Sequence, residues 1–261
     1  MNDSVLLAVD PRGIATLTLN RPECHNAIDR DCAGLLLANL DTLAEDEEIR
    51  AIVITGSGIS FSAGHDTDAV RRMAQAGEAE LRTELGQYSQ LLARLDTLPK
   101  PTIARVQGSA FGLGAGLIAC CDFAIGASDA LFGFSEVRLG IIAGISIPYI
   151  VRAIGARAAR RYLISSERFN AGKAKRLGLL HQDEAPALLD QAVEQLLRQL
   201  LINGPQAMLI SRQLIATVAE QPIDDALRAH VLEKSLQVRL SDEGREGTAA
   251  FIEHRAPNWV G

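Results

Sequence analysis

The chain has 261 residues, enough for one large domain or one domain with an appendage, and can bury roughly 75% of its unfolded surface with no metal or disulfide staple. Hydrophobic residues make up 48% and charged residues 22%, a globular composition that excludes a disordered tail protein. A net charge of −6 with 4% aromatics argues against a nucleic-acid binder, and no apolar run reaches the ~18 residues of a membrane helix.

Met1 to Asp10 lacks a basic segment followed by an apolar stretch, which reads as no signal peptide and a cytoplasmic location. Val5 to Asp10 and Ile14 to Leu19 are two short strands, and Pro11-Arg12-Gly13 is turn chemistry, so a hairpin is expected. Asp29 to Asp46 has helical spacing, with Leu35, Leu36, Leu40 and Leu43 on one face. Ile49 to Thr55 is an apolar strand ended by Gly56-Ser57-Gly58. Phe61 to Asp68 reads as a small-residue loop, and Leu81 to Leu98 as a helix stopped by Pro99 and Pro101.

Thr102 to Val106 and Phe123 to Ile125 are further strands, separated by the glycine-rich Gly108 to Gly116 and the apolar stretch Leu117 to Cys121. This rhythm predicts α/β layering. After Pro148 the pattern predicts an almost wholly helical end. The helices are Ala156 to Ser165, Ala171 to Leu177, Ala185 to Ile202, Pro205 to Ala219, Ile223 to Leu240 and Ser241 to His254. Cys24, Cys32, Cys120 and Cys121 lack a zinc-ligand spacing, so no metal is expected; they read as small buried apolar residues in a reducing compartment.

Three segments could carry chemistry. Phe61-Ser62-Ala63-Gly64-His65-Asp66 follows a strand and precedes a helix, where small residues bring backbone N–H groups close to a ligand. A Ser62, His65, Asp66 triad is rejected: three residues on one turn do not align as nucleophile, base and orienter, and no G-x-S-x-G elbow exists. Gly108 to Gly116 opens a helix but lacks both the G-x-G-x-x-G order and a G-K-[ST] loop. What remains is a helix N-terminus with free N–H groups, suited to a developing oxyanion. In Phe132 to Gly140, Glu136 sits among apolar residues. Such a carboxylate is either salt-bridged, to Arg138 or Arg152, or a functional base; taken alone, the segment favours the salt bridge.

Together and in this order, the three segments resemble the crotonase (enoyl-CoA hydratase/isomerase) superfamily over nearly the whole chain. Leu19-Asn20-Arg21-Pro22 with Asn26-Ala27 is similar to the family's N-terminal signature, and Ala249 to Arg255 to its C-terminal helix. The resemblance implies an α/β spiral of ββα units with an acyl-CoA site over 1–203. It also implies a helical region over 204–261 that builds homotrimers, often stacked as hexamers. It implies no prosthetic group, with coenzyme A arriving as part of the substrate. The thioester carbonyl would accept from two backbone N–H groups, here His65, after Ala63-Gly64, and Leu113, after Gly112. Such donors stabilise an enolate oxygen, and one is typically worth about 10²–10³ in rate. The same matching gives contacts with the CoA ester to Arg21, Ala27, Ala63, His65, Asp66 and Leu113, and puts His254 and Arg255 near its phosphates. An acidic protein binding an anionic ligand relies on such local cations.

Two departures stand out. Simple enoyl hydratases carry two glutamates; the first position is Gly116 here, the second Glu136, at the family's twenty-residue interval. His65 stands where the family usually has alanine. One subgroup shares the lost glutamate: Gly116 to Asp122, Ser135 to Gly140 and Val151 to Tyr162 resemble bacterial hydratases of 3-substituted glutaconyl-CoA. It includes the 3-methylglutaconyl-CoA hydratase of leucine breakdown and the isohexenylglutaconyl-CoA hydratase of acyclic terpene breakdown. The expectation is therefore a hydratase in which Glu136 alone moves both protons. A substrate carboxylate about 5 Å from a second glutamate would meet roughly 3 kcal/mol of repulsion at a dielectric of 20. Gly116 would remove that repulsion and make room for branching at C3. Arg71, Arg72, Arg138 and a neighbouring subunit are open as partners for the distal carboxylate. The His65 ring donates to it, contacts the CoA or is a surface imidazole. The rivals are an enoyl-CoA isomerase, a general short-chain enoyl-CoA hydratase, a CoA-ester hydrolase, an RNA-binding protein of the same fold, and a non-enzymatic scaffold.

Overall fold

The computed structural model describes residues 4–219 and 221–260. Met1 to Asp3, the start of the stretch read for a leader, lie outside the described residues. Contacts divide the chain into two compact units. The first is Met1–Leu98 with Thr102–Glu194, the second Pro99–Pro101 with Gln195–Gly261.

The first unit opens on the expected hairpin, β1 (Val5–Val9) antiparallel to β2 (Ile14–Leu19). Asp10 builds the turn: its Oδ1 accepts from the amides of Arg12 and Ile14 at 2.9 and 3.1 Å. Three strand pairs follow, each a longer and a shorter strand. They are β3 (Ala51–Gly56) with β4 (Ser60–Ser62), β5 (Thr102–Val106) with β6 (Ser109–Phe111), and β7 (Phe123–Ala127) with β8 (Leu131–Gly133). The longer strands extend the sheet from β2 in parallel register; the shorter ones pair with one another in a second, smaller sheet. Every residue of β3 is buried, as a central parallel strand covered on both faces requires. Helices α1 (Arg30–Glu45), α2 (Thr67–Met73), α3 (Glu78–Asp96), α4 (Leu113–Cys120) and α5 (Ile147–Ser165) lead from turn to turn. This is the α/β spiral of ββα units that the motifs imply.

Asp29 caps α1 by accepting from the Cys32 amide, a contact worth about 1 kcal/mol. The buried face of α1 carries Leu36, Leu40 and Leu43, but Leu35 lies at its border, half-buried. The loop expected from Phe61 is shorter than its small residues imply, because Phe61 and Ser62 belong to β4.

The end of the chain is less helical than its pattern predicts. A short β9 (Phe169–Asn170) pairs antiparallel with β8. After α6 (Ala171–Leu177), β10 (Gln182–Glu184) adds a parallel edge to β7. Gln182-Asp183-Glu184 has no apolar alternation; pairing with β7, not propensity, makes it a strand. Helix α5 starts nine residues before the predicted Ala156, because the chain is helical on both sides of Gly155, which itself is not (φ 75°, ψ 152°).

Helix α7 (Leu189–Leu201) carries the chain into the second unit, where α8 (Pro205–Val218), α9 (Asp225–Leu240) and α10 (Asp242–Glu253) pack together. Within it the Glu243 carboxylate accepts from the amides of Gln206 and Ala207 at 2.9 and 2.8 Å, completing the N-terminus of α8. No helix among the described residues is long and apolar enough to cross a membrane.

Candidate active site

The chain leaves β4 through Ser62, whose Oγ donates to the Asn26 carbonyl at 2.8 Å and accepts from the Gly64 amide at 3.2 Å. The Ile28 amide then donates to the Gly64 carbonyl (2.7 Å), and the Asp66 amide to the Ile28 carbonyl (3.1 Å). A parallel bridge of this kind turns the N–H of the residue between them, His65, to the other side, where it has no partner among the described residues. Gly64 has φ +89°, and a Cβ there would lie 2.7 Å from the Phe111 carbonyl oxygen and 3.4 Å from the Leu113 nitrogen. Only glycine lets this loop approach the start of α4 so closely. Ser62 is thus a tie between backbone segments and Asp66 faces Arg21, which leaves no triad.

Strand β6 ends at Phe111, and the Gly112 amide donates to the Gly133 carbonyl at 3.0 Å. Gly112 turns the chain into α4 with φ +50°. The Leu113 amide lies in the first helical turn and has no partner among the described residues, as helix geometry dictates. Two N–H groups from different loops, neither with a partner among the described residues, therefore stand in one neighbourhood.

A Cβ on Gly112 would sit 2.5 Å from Oε1 of Glu136, so the carboxylate rests against the glycine's bare α-carbon. Glu136 begins a 3-10 turn, Glu136–Leu139, directly after β8 and Phe134-Ser135. It is 9% exposed, and its Oε2 is buried with no hydrogen-bond partner. Burial raises its pKa above the ordinary carboxylate value; the amides of Glu136 and Ser135 offset only part of this. The expected salt bridge does not form. Arg138 donates to the Ser166 carbonyl at 3.1 Å, and Arg152 pairs with Asp96. Both cations have nearer oxygens, which leaves Glu136 a protonatable group without a counterion among the described residues.

The space beside Gly116 is filled, against the expectation that this glycine makes room for branching at C3. A Cβ there would lie 2.5 Å from Ser146 Oγ, 3.1 Å from Ser146 Cβ and 3.4 Å from Leu92 Cδ1. One turn along α3 from Leu92, Tyr88 meets the His65 ring edge-on, with centroids 4.8 Å apart. Nor is His65 a surface imidazole: its Nε2 is buried without a partner, and burial pushes its pKa down to about 4. The ring is neutral at physiological pH and does not supply a cation. Tyr88 also donates to Glu84 Oε1 at 3.3 Å, and Arg72 stands 3.7 Å from the same oxygen.

With this geometry in place, the chain can be set against known proteins. The sequence profile of the enoyl-CoA hydratase/isomerase family matches residues 10–261. The chain belongs to that family. A crystal structure of an enoyl-CoA hydratase from Shewanella pealeana superposes with a TM-score of 0.95 at 36% identity, covering 98% of this chain and 96% of that one. The crotonyl-CoA hydratase of Syntrophomonas wolfei is 33% identical over 250 residues, 95% of this chain and 94% of the relative. The 2,3-dehydroadipyl-CoA hydratase of Escherichia coli is 29% identical over 260 residues, 99% of each. The protein is an enzyme of the enoyl-CoA hydratase type, a hydro-lyase.

The residues matched to CoA contacts lie in two settings. Ala63 is exposed and borders a cavity of about 150 Å³, with Phe111, Ser135, Arg138 and Arg168 also in its wall. Arg168 lies over the Phe111 ring at 5.2 Å. Ala27 is buried, and its carbonyl accepts from Arg21 at 2.8 Å. The Arg21 guanidinium also pairs with Asp29 and Asp66, each at 2.9 Å, so its fork is engaged within the protein. Burial opposes ionisation of Asp66, but the Asp68 amide and Arg21 outweigh it and hold its pKa below the usual range. Arg71 pairs with Asp68 on the surface. In the second unit, Arg255 is held by Glu246 and Glu253, and His254 ends α10 in a left-handed conformation.

The enzyme's sequence does not single out Tyr88, Leu92 or Ser146. Tyr88 and Leu92 carry only the helical spacing of core residues. Ser146 lies in the loop before α5, with no motif around it.

Proposed function

We propose that this enzyme hydrates the C2–C3 double bond of a 3-branched glutaconyl-CoA thioester, 3-methylglutaconyl-CoA or isohexenylglutaconyl-CoA. The thioester oxygen is held by the His65 and Leu113 amides. Glu136 takes a proton from water as the water oxygen bonds to C3, and the π electrons move onto the thioester as an enolate. Glu136 then returns that proton to C2. One water is consumed, and a syn addition needs one carboxylate. Gly116 stands where a second carboxylate acts in simple hydratases. Ala27, Ala63, Asp66 and Arg21 border the CoA arm, and the enzyme works as a homotrimer, stacked as a hexamer.

The observation that carries this reading is the buried Glu136 carboxylate, unpartnered at Oε2 and set against Gly112 beside two amides that have no partner among the described residues. Its raised pKa suits a group that must both accept and return a proton. Arg138 and Arg168 in the wall of the cavity support recognition of a second substrate carboxylate. The Escherichia coli relative is named for an unsaturated dicarboxylic thioester, which accords with this choice. The Syntrophomonas wolfei relative, named for crotonyl-CoA, favours a second reading: a general short-chain enoyl-CoA hydratase.

Incubation with 3-methylglutaconyl-CoA and with crotonyl-CoA in ¹⁸O-water tests the proposal. Label in the product hydroxyl, with the higher kcat/KM on the glutaconyl ester, is the expected result. Label with a preference for crotonyl-CoA would select the second reading. Double-bond migration without label would make the enzyme an isomerase. Glu136→Gln should lower kcat by about 10²–10⁴ while thioester binding by calorimetry stays unchanged; a variant with near-wild-type turnover removes Glu136 from the role.

A further inference from the structure

Ser146 is 3% exposed, yet its hydroxyl does not cap α5, which it precedes, and has no hydrogen-bond partner among the described residues. A hydroxyl without a protein partner is free to hold a water. Its backbone is fully committed: the amide donates to the Ala143 carbonyl at 2.9 Å, and the carbonyl accepts from Ile150 at 3.0 Å. The loop thus holds the side chain in place.

That place is the one a side chain at Gly116 would occupy, since Oγ lies 2.5 Å from the missing Cβ. Gly116 is one helical turn from Gly112, to whose carbonyl its amide donates at 3.0 Å. Glu136 Oε1 lies 2.5 Å from the missing Cβ of Gly112. The Glu136 carboxylate and the Ser146 hydroxyl therefore both border the first turn of α4.

We propose that Ser146 is a positioning residue that takes over the water-holding task of the absent second carboxylate. Its hydroxyl accepts one O–H of the water while Glu136 accepts the other, which aims the water oxygen at C3. A neutral acceptor orients the water without adding the negative charge that a dicarboxylic substrate would oppose. This rests on the hydratase reading above.

The test separates water addition from enolate formation. Exchange of the C2 hydrogens of butyryl-CoA in D2O needs Glu136 and the amide donors but no added water. Hydration of crotonyl-CoA needs all of them. Ser146→Ala should lower the kcat of hydration roughly 10- to 100-fold with little change in KM, the scale of a lost positioning contact, and leave exchange at the wild-type rate. Ser146→Thr, which keeps a hydroxyl, should hydrate at close to the wild-type kcat. Glu136→Gln should lose both reactions. An Ala variant that hydrates as fast as wild type overturns the proposal. So does one that loses hydration and exchange together, which marks a structural role. A Thr variant as slow as Ala with exchange intact also overturns it. If the wild-type protein exchanges but hydrates none of the esters, the hydratase reading itself fails and takes this role with it; the wild-type measurement tells the two failures apart.

Discussion

The buried Glu136 carboxylate and the half-buried His65 ring both sit where their charged forms are disfavoured, but they act on stability at opposite ends of the pH scale. Glu136 has a folded pKa above its unfolded value, so its contribution is full below the unfolded value and is lost as pH rises through the folded one. His65 has a folded pKa of about 4 against an ordinary 6.5, so the unfolded chain takes up its proton first. The contribution of its neutral ring is present above pH 6.5 and lost as pH falls towards 4. At about 1.4 kcal/mol per pH unit this amounts to at most about 3 kcal/mol. His65→Phe keeps the main-chain amide and an aromatic ring against Tyr88. Urea unfolding at pH 7 and pH 4.5 should show a smaller loss for the variant than for the wild type; equal losses would mean that this ring does not govern the acid limb. The presence of Glu136 and His65 is plain in the sequence. Their charge states follow from packing, because the neighbours that could neutralise Glu136 point at Ser166 and Asp96 instead.

At the scale of elements, the stretch from Gly112 to Gly116 works by what it leaves out. Bare α-carbons at Gly112, Gly114 and Gly116 let Glu136, Ser62 and Ser146 close on the start of α4. Refilling one position should therefore be punished sterically before charge matters. Gly116→Glu drives a Cβ into Ser146 and should cost roughly 1–3 kcal/mol, the usual penalty of overpacking. Gly116→Glu with Ser146→Gly removes the colliding atoms. Thermal melts should place the double variant above the single one, with crotonyl-CoA turnover above that of Ser146→Gly. Equal melting of the single variant and the wild type would refute the packing argument. The glycine spacing, the hairpin and the caps are readable locally. β9 and β10 are not: two or three residues without alternation become strands only by finding β8 and β7.

For the whole molecule, the second unit leaves large apolar side chains in water. Ile215 and Leu240 are exposed on α8 and α9, and α10 presents Phe251 at 81% and Ile252 at 69%. Val218, Ile223, Leu227, Val231 and Leu232 also line a groove of about 550 Å³. Apolar patches of this kind mark surfaces that a partner covers. The expected state is a homotrimer or its stacked hexamer, read by sedimentation velocity. Phe251→Asp with Ile252→Asp should shift it towards the monomer, whereas a wild-type protein sedimenting as a monomer would end that expectation. The amino-acid sequence by itself determined what depends on near neighbours: strand and helix periodicity, turn residues, and the ordered motifs that mark the family. Tertiary structure decided what depends on residues brought together from afar. It set Ser146 against Gly116, turned His65 inward onto Tyr88 and left Glu136 without a counterion. The reason is physical: local pattern limits backbone conformation within a few residues, while a side chain's partner and charge depend on which distant segment packs nearest to it.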